Sequence, residues 1–181
     1  MTLRVVIMGV SGCGKSSVGE GLSLRLGIPY RDGDDLHPAE NVEKMRVGIA
    51  LTDEDRWPWL DRVAAVLATQ APVIVGCSAL RSTYRDRLRA GAGGPVQFVH
   101  LSGSRDLIAA RMADRTGHYM PASLLESQFA ALEPPGPDSG PDTGPDTGPD
   151  TGPDTALTIA IDQPLPIMID TIAKHLEGAH P

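Results

Sequence analysis

Five apolar runs along the chain have the length and composition of buried β-strands. They occupy residues 3–8, 29–31, 73–77, 96–101 and 157–161, and the first of them is rich in β-branched side chains. Amphipathic helical patterns separate these runs, so strands and helices alternate along the chain. This alternation is typical of a doubly wound parallel sheet, and the sequence therefore predicts an α/β protein with three α/β/α layers.

The segments between the strands carry apolar side chains at helical spacing. The clearest case is residues 55–71, where five apolar positions share one face: Trp59, Leu60, Val63, Val66 and Leu67. Helices are also predicted over residues 17–26, 104–113, 122–132 and 167–176. The length of 181 residues suits a single domain with one buried core.

Residues 136–155 have a different kind of sequence. One Gly-Pro-Asp-Ser unit is followed by four Gly-Pro-Asp-Thr units. Proline at every fourth position removes backbone donors and blocks a helix, and no large apolar side chain offsets the entropy cost of ordering. We therefore predict an inactive surface loop. A calcium site built from the spaced aspartates is less favoured, because the segment lacks the glutamate of known calcium loops.

Charge and cysteine content exclude some classes of function. The net charge of −7 disfavours a general nucleic-acid binder, although five carboxylates lie in the repeat and the remainder carries only −2. No apolar run reaches the length of a membrane-spanning helix. The chain enters a strand at once, which leaves no room for a signal peptide, so we expect a cytoplasmic protein whose Cys13 and Cys77 are reduced.

The first predicted strand leads directly into a glycine-rich motif. Residues 9–16 read GVSGCGKS and fit the phosphate-binding pattern G-x-x-x-x-G-K-[ST], with a helix following. In such a loop backbone N–H groups point at phosphate oxygens, Lys15 would reach the β- and γ-phosphates, and the Ser16 hydroxyl would contact Mg²⁺. The motif predicts an ATP site formed by Gly9, Val10, Ser11, Gly12, Cys13, Gly14, Lys15, Ser16 and Ser17.

Two carboxylates follow the second predicted strand. Asp32 and Asp34 come at its carboxyl end, where ligands bind in parallel sheets, and so would face the same crevice as the glycine loop. Asp32 would hold Mg²⁺, while Asp34 would orient or deprotonate an acceptor hydroxyl. The alternative is a structural Asx turn, with Asp35 as a helix cap. The convergence of loop and acid pair favours a kinase.

The order of motifs along the chain resembles the gluconokinase family. Besides the glycine loop, the resemblance rests on residues 32–38 (DGDDLHP), 41–45 (NVEKM), 51–56 and 58–60 (LTDEDR, PWL), 77–81 and 84–86 (CSALR, YRD), 117–120 (GHYM), 128–129 and 132–134 (QF, LEP) and 162–164 (DQP). These blocks cover nearly the whole chain apart from the repeat.

The resemblance implies ATP- and Mg²⁺-dependent phosphorylation of D-gluconate at its 6-hydroxyl. It implies a P-loop kinase fold with a five-stranded sheet in the order 2-3-1-4-5 and a helical lid. On this basis residues 1–181 form one kinase domain, with the lid at about residues 111–133 and the insert loop at 136–155. Members of the family are commonly dimeric, so a homodimer is expected as well.

The resemblance also suggests roles for individual residues. Gluconate would contact Asp34, His37, Arg56, Arg81 and His118, the two arginines gripping its carboxylate. The lid residues Arg111 and Arg115 would stabilise the charge of phosphoryl transfer, with Lys15 and Asp34 as the other catalytic residues. Arg111, Gln163 and Pro164 would contact adenine. For Arg56 and Arg81 a surface ion pair stays an alternative, and for His37 the alternative is a structural role in the local turn.

Two positions depart from the family pattern. Cys13 stands where the family usually has serine or threonine, which should be harmless because the loop works through its backbone. Arg81 and Ser82 stand where the family usually has two lysines, which puts substrate affinity in question. A shikimate-type or other small-molecule kinase and an inactive nucleotide-binding regulator stay open as alternatives. A regulatory disulfide between Cys13 and Cys77 is a separate hypothesis.

Overall fold

Strands and helices alternate in the computed structural model, which describes residues 2–113, 122–137 and 154–178. None of the helices in these ranges is long and apolar enough to cross a membrane. In chain order the elements are β1 (Arg4–Met8), α1 (Lys15–Leu26), β2 (Tyr30–Asp32), a 3₁₀ turn (Gly33–Leu36), α2 (Ala39–Arg46), α3 (Asp53–Thr69), β3 (Val73–Gly76), α4 (Ser82–Gly91), β4 (Gln97–Ser102), α5 (Arg105–Ala113), α6 (Ala122–Ala131), β5 (Gly136–Pro137), β6 (Thr155–Ala160) and α7 (Leu165–Gly178).

The strands form a parallel sheet in the order β2-β3-β1-β4-β6-β5. The predicted fold class is confirmed, but the sheet has six strands rather than five, and the additional strand extends the predicted order at one edge. The fifth predicted strand is β6, and a sixth, β5, pairs along the outer edge of β6. There the amide of Gly136 donates to the carbonyl oxygen of Asp154 at 2.8 Å. A glycine–proline pair has no hydrophobic pattern, so no signal in the sequence predicted this strand.

The central strand β1 supplies side chains to both faces of the sheet. Val5 belongs to a core that includes residues of α1 and α7, and Val6 belongs to a core that includes residues of α3 and α4. Both valines are fully buried. The glycine-rich segment that follows β1 therefore begins from the most enclosed part of the sheet, which is a rigid support for a binding loop.

Helix α3 begins two residues before its predicted start. Thr52 and Asp55 form a reciprocal cap: Thr52 Oγ1 accepts from the amide of Asp55 at 3.3 Å, and Asp55 Oδ2 accepts from the amide of Thr52 at 3.0 Å. Helices α2 and α4 were not predicted, because their sequences are mainly polar and contain few apolar residues. The cap matters for the site, since it fixes the first turn of α3.

Both ends of the Gly-Pro-Asp repeat belong to the folded structure, while residues 138–153 lie outside the described ranges. Gly136 and Pro137 form β5, and Thr155 begins β6. Asp154 pairs with Arg85, whose Nε and Nη2 lie 2.6 and 2.5 Å from its carboxylate oxygens. Arg85 is fully buried, so its charge requires this partner. The last unit of the repeat is therefore structural at Asp154 and Thr155.

Candidate active site

A crevice of about 360 Å³ lies where the segments after β1, β2 and β3 meet, at the carboxyl ends of the strands. Residues from α2, α3, α5 and α6 complete its walls. Nine of the predicted site residues line it: Ser11, Gly12, Gly14, Lys15, Ser16, Asp32, Asp34, His37 and Arg56. The structure therefore brings the glycine loop, the acid pair and part of the expected acceptor site together.

All three glycines of the loop have backbone angles that favour glycine, and Gly9 has φ 143°. Gly12 has φ 80° and Gly14 has φ 103°. A Cβ atom on Gly12 would lie 2.6 Å from Cγ of Met112 on α5, so the close approach of α5 also requires glycine there. Gly14 is the N-terminal cap of α1, and its carbonyl accepts from the amide of Val18 at 3.0 Å. The loop thus ends at a helix N-terminus, where N–H groups favour an anion.

Lys15 and Cys13 point to different sides of the loop. The ammonium of Lys15 donates to the carbonyl oxygens of Gly9 and Val10 at 3.1 and 3.2 Å, and the residue lines the crevice. Cys13 is fully buried in the core that includes α1 and α7. The unusual cysteine therefore changes the core side of the loop, while the crevice side keeps the usual residues.

The acid pair connects the glycine loop to the segment after β2. Asp32 Oδ2 accepts from the Ser16 hydroxyl at 3.0 Å, and Asp32 Oδ1 accepts from the amide of Asp34 at 3.0 Å. The second contact is the Asx-type cap of the 3₁₀ turn, so the structural and functional interpretations of Asp32 coexist. The hydroxyl of Ser16 and the carboxylate of Asp32 together offer the oxygen ligands that Mg²⁺ prefers.

Magnesium fits this donor set better than a metal that needs a full protein cage. Within the described part of the chain no three His, Cys, Asp or Glu residues are grouped so that they would hold a metal ion. Mg²⁺ commonly takes only one or two protein ligands and completes its shell with phosphate oxygens and water. Ser16 and Asp32 are enough for that arrangement.

Asp34 stands in the concave wall of the crevice with 73% of its side chain exposed. The surrounding protein partly removes its carboxylate from water, which raises the pKa of Asp34. The ammonium of Lys15 acts in the opposite direction, and the carboxylates of Asp32 and Asp35 reinforce the rise. A carboxylate that is exposed to the crevice and has a raised pKa is suited to accept a proton.

His37 is stacked on Trp59 beside the acid pair. The two ring centroids lie 4.1 Å apart with an interplanar angle of 14°, and only 4% of the His37 side chain is exposed. Burial, with a smaller effect from the charge of Arg56, lowers the pKa of His37 to about 4. The imidazole is therefore neutral at pH 7 and carries a single proton.

Asn41 decides which nitrogen of His37 carries that proton. Asn41 Nδ2 donates to the carbonyl oxygen of Asp55 at 2.7 Å, which fixes the orientation of the amide because a carbonyl oxygen only accepts. The same Nδ2 lies 3.3 Å from His37 Nδ1, so Nδ1 accepts and the proton resides on Nε2. Nε2 lies 4.0 Å from Asp34 Oδ1, which makes His37 a hydrogen-bond donor beside the acid pair.

The two arginines expected to grip a carboxylate are in different environments. Arg56 lines the crevice and donates to the carbonyl oxygen of Leu51. Arg81 does not line it; its Nη1 lies 3.0 and 3.3 Å from the carboxylate oxygens of Asp53, which also accepts from the Tyr84 hydroxyl. The ion-pair alternative therefore applies to Arg81. Of the two arginines, only Arg56 lines the crevice.

The residues expected near adenine do not line the crevice. Arg111, in the last turn of α5, donates to the carbonyl oxygen of Ile161. Gln163 Nε2 donates to the carbonyl oxygen of Ala160 at 2.7 Å, and Pro164 directly precedes α7. The structure thus brings Arg111 close to the loop after β6. The predicted residues Arg115 and His118 lie outside the described ranges.

Several residues at the site were not predicted individually. Ser78 lines the crevice, and its carbonyl oxygen accepts from the amide of Gly9 at 3.2 Å. Asn41 contacts His37 and Gln128 contacts Ser11, while the sequence pattern places Trp59 only on the apolar face of α3. The only signal for Asn41, Ser78 and Gln128 is that they stand inside motif blocks, because none forms a spacing pattern with the residues that it contacts.

The structure does not support the disulfide hypothesis. Cys13 and Cys77 are free and buried, and they belong to the cores on opposite faces of the sheet. Burial raises the pKa of the Cys77 thiol to about 12, which suppresses the thiolate that oxidation requires.

Comparison with known proteins identifies close relatives. The family model described as shikimate kinase matches residues 11–128. A gluconokinase of Gluconobacter oxydans is 49% identical over 138 residues, which cover 74% of this chain and 77% of that protein. The thermosensitive gluconokinase of Escherichia coli is 46% identical over 137 residues, covering 74% of this chain and 73% of that protein.

Comparison with solved structures also finds a gluconokinase. A gluconokinase from Sinorhizobium meliloti has a TM-score of 0.80 at 43% identity, covering 97% of this chain and 91% of that one. An APS kinase of Mycobacterium tuberculosis has a TM-score of 0.64 at 22% identity, covering 97% of this chain and 98% of that one. The second similarity concerns the fold alone.

Proposed function

The chain belongs to the gluconokinase family, and from this premise we propose that it transfers the γ-phosphate of ATP to the 6-hydroxyl of D-gluconate. The products are ADP and 6-phospho-D-gluconate. The observation that carries the proposal is the position of Asp34 in one crevice with Lys15, Ser16, Asp32 and Arg56. A phosphate-binding loop, a proton acceptor and a cation for a carboxylate substrate then stand around the same space.

The glycine loop binds the triphosphate through its backbone N–H groups and the N-terminus of α1. Lys15 exchanges its contacts with the carbonyls of Gly9 and Val10 for the β- and γ-phosphates. Ser16 and Asp32 would hold Mg²⁺, which would neutralise part of the phosphate charge. Arg111, Gln163 and Pro164 are proposed for the adenine side, and Arg115 and His118 keep their predicted places in the lid.

At the acceptor side, the oxygen of the gluconate 6-hydroxyl attacks the γ-phosphorus of ATP. Asp34 takes the proton of that hydroxyl during the attack. The bond from that phosphorus to the bridging oxygen of ADP breaks, so ADP leaves and the proton stays on Asp34 until it passes to water. His37 donates from Nε2 to a gluconate hydroxyl. Arg56 offers its guanidinium to the gluconate carboxylate, a planar pair that can form two parallel hydrogen bonds.

The test is a coupled ADP-release assay with gluconate, shikimate and a panel of other sugar acids and polyols as acceptors. We expect turnover with gluconate to exceed that with every other acceptor, and the product to be phosphorylated at the 6-position by NMR. Turnover no higher than the ATPase background with gluconate would contradict the proposal. A cytoplasmic location and a homodimer are part of the proposed function and are tested by fractionation and by light scattering.

A further inference from the structure

A side chain of α6 contacts the glycine loop directly. Gln128 Oε1 lies 2.6 Å from the backbone nitrogen of Ser11, and Gln128 Nε2 lies 3.1 Å from the Ser11 hydroxyl oxygen. The two residues are separated by 117 positions in the chain, and both line the crevice. The contact therefore joins a helix within the expected lid, residues 111–133, to the loop that would bind ATP.

The chemistry of the backbone fixes the orientation of the Gln128 amide. A backbone N–H group only donates, so the amide atom beside Ser11 N must be the oxygen. Nε2 then donates to the Ser11 hydroxyl oxygen, which acts as an acceptor in this contact. The hydroxyl proton of Ser11 is consequently directed away from Gln128 and can be donated to another group.

Helix α6 is anchored at its C-terminal end, so the amide of Gln128 is held in place. The amide of Glu133, just beyond α6, donates to the carbonyl oxygen of Leu80 at 2.8 Å. The Glu133 carboxylate accepts from the amide and the hydroxyl of Ser82 at 2.8 and 2.9 Å, capping α4. Leu125 of α6 is buried in the core that includes α1 and α7.

The location of this contact within the crevice suggests its ligand. Lys15, Asp34, Ser11 and Gln128 line the same space, which lies between the phosphate loop and the proposed proton acceptor. The γ-phosphate must occupy that space during transfer, because it moves from the nucleotide to the acceptor hydroxyl. The α-phosphate has no such requirement.

We propose that Gln128 is a positioning residue that aims the Ser11 hydroxyl proton at a γ-phosphate oxygen of ATP. Ser11 then contacts the transferred group, and Gln128 acts through Ser11 by holding its amide and its hydroxyl oxygen. This inference rests on the proposed function only in so far as ATP is the nucleotide. It does not depend on which acceptor receives the phosphate.

The decisive variant is Gln128→Glu, which has the same length and can still accept from the Ser11 amide. Its carboxylate only accepts, so the Ser11 hydroxyl would turn to donate to it, and a negative charge would face the γ-phosphate. We expect the Kd for MgATP to rise by about tenfold or more, since hydrogen bonds to charged groups contribute on that scale. The Kd for MgADP should change by less than about threefold.

The measurement is calorimetric titration of each protein with a non-hydrolysable ATP analogue and with ADP, both with Mg²⁺ and without gluconate. Gln70→Glu is the matched control: Gln70 is exposed, accepts from Arg31 Nε at 3.0 Å, and precedes the amino end of β3, whereas the crevice lies at the carboxyl ends of the strands. Its two Kd values should stay within about twofold of the wild-type values, since it lies beyond the reach of screened charge.

Equal weakening of ATP and ADP by Gln128→Glu would overturn the proposal, because it would show that Gln128 only shapes the loop. No change in either Kd would overturn it as well. If the charged variant fails to fold, Gln128→Met removes both hydrogen bonds without adding charge and should still weaken ATP more than ADP. Absence of gluconate turnover in the wild type would contradict the proposed function while leaving the ATP-to-ADP comparison valid.

Discussion

The nucleotide half and the acceptor half of the crevice are built in different ways. The nucleotide half, residues 9–16, is one continuous segment whose glycine angles and close packing leave backbone N–H groups as its main binding groups. The acceptor half consists of Asp34, His37 and Arg56, whose side chains come from the segment after β2 and from α3. The first half relies on backbone geometry and the second on side chains.

This difference has a consequence for how each half responds to substitution. A backbone site tolerates a changed side chain that faces the core, as at Cys13, provided that the glycines remain. A side-chain site depends on neighbours that are not ligands themselves, as with Asn41 and Trp59 around His37. The acceptor half should therefore respond to changes at a distance, and the nucleotide half mainly to changes within the motif.

The largest expected effect is in the acceptor half, from Asp34→Asn. The amide keeps the shape of the carboxylate but cannot accept the proton, so kcat should fall by about 10²- to 10⁴-fold. Steady-state kinetics and calorimetric titration with ADP measure the two halves separately. ADP affinity should be unchanged within about threefold. Unchanged kcat would remove Asp34 from the mechanism.

In the nucleotide half the sharpest single change is Lys15→Ala. Loss of the ammonium removes charge stabilisation from the transferred phosphoryl group, so kcat should fall by about 10²- to 10³-fold. The midpoint of thermal unfolding should shift by less than about 4 °C, because Lys15 donates only to two loop carbonyls. A midpoint lowered much further would show that the lysine supports the fold of the loop rather than the reaction.

Substitutions of Arg56 and Arg81 test whether gluconate binding depends on the arginine at the crevice or on the one paired with Asp53. Arg56→Met should raise the KM for gluconate by about 10- to 100-fold, because a charge-assisted hydrogen bond to the carboxylate is lost. Arg81→Met should raise it by less than about threefold, because Arg81 is paired with Asp53. The KM for ATP serves as the internal control in both variants. Equal losses of gluconate affinity would mean that Arg81 leaves Asp53 when substrate binds.

Acid should destabilise the acceptor half through His37. Its pKa is about 4 in the folded protein and 6.5 in the unfolded chain, so the unfolded chain binds the extra proton as the pH falls below 6.5. The free energy of unfolding should drop by about 2 kcal/mol between pH 7 and pH 5 from this group. Urea denaturation at the two pH values measures the drop.

His37→Gln is the control for that pH dependence, since glutamine does not titrate. The pKa of the buried His100 is also lowered, by burial and by the charge of Arg85, so part of the slope should remain in the variant. A slope identical to that of the wild type would show that His37 does not contribute in this range.

The smallest effect is expected outside both halves, in the repeat. Deletion of residues 140–151 removes three units but keeps Gly136, Pro137, Asp154 and Thr155. The free energy of unfolding should change by less than about 0.5 kcal/mol, because loop-closure entropy depends only weakly on length.

By contrast, Asp154→Asn leaves the buried Arg85 charge without its partner and should lower the free energy of unfolding by about 3 kcal/mol. Chemical denaturation of the two variants and the wild type makes the comparison.

The five main strands, the helices α1, α3, α5, α6 and α7, and the glycine loop were predictable from local patterns. Buried strands and amphipathic helices leave a periodic signal, and the loop has a fixed spacing of glycine, lysine and serine. Helices α2 and α4 were not predicted because few of their residues are apolar, and β5 was not predicted because two residues cannot show a period. The structural role of Asp154 was hidden because it looks the same as every other aspartate of the repeat.

The sequence by itself determined the nucleotide half, because a phosphate loop is made by consecutive residues whose backbone angles are set by their own glycines. Only the tertiary structure decided that Arg56 lines the crevice while Arg81 pairs with Asp53, that Asn41 sets the proton of His37, and that Gln128 holds Ser11. Which side chains meet across the crevice depends on how separate helices pack on the sheet, and no local pattern in the chain encodes it.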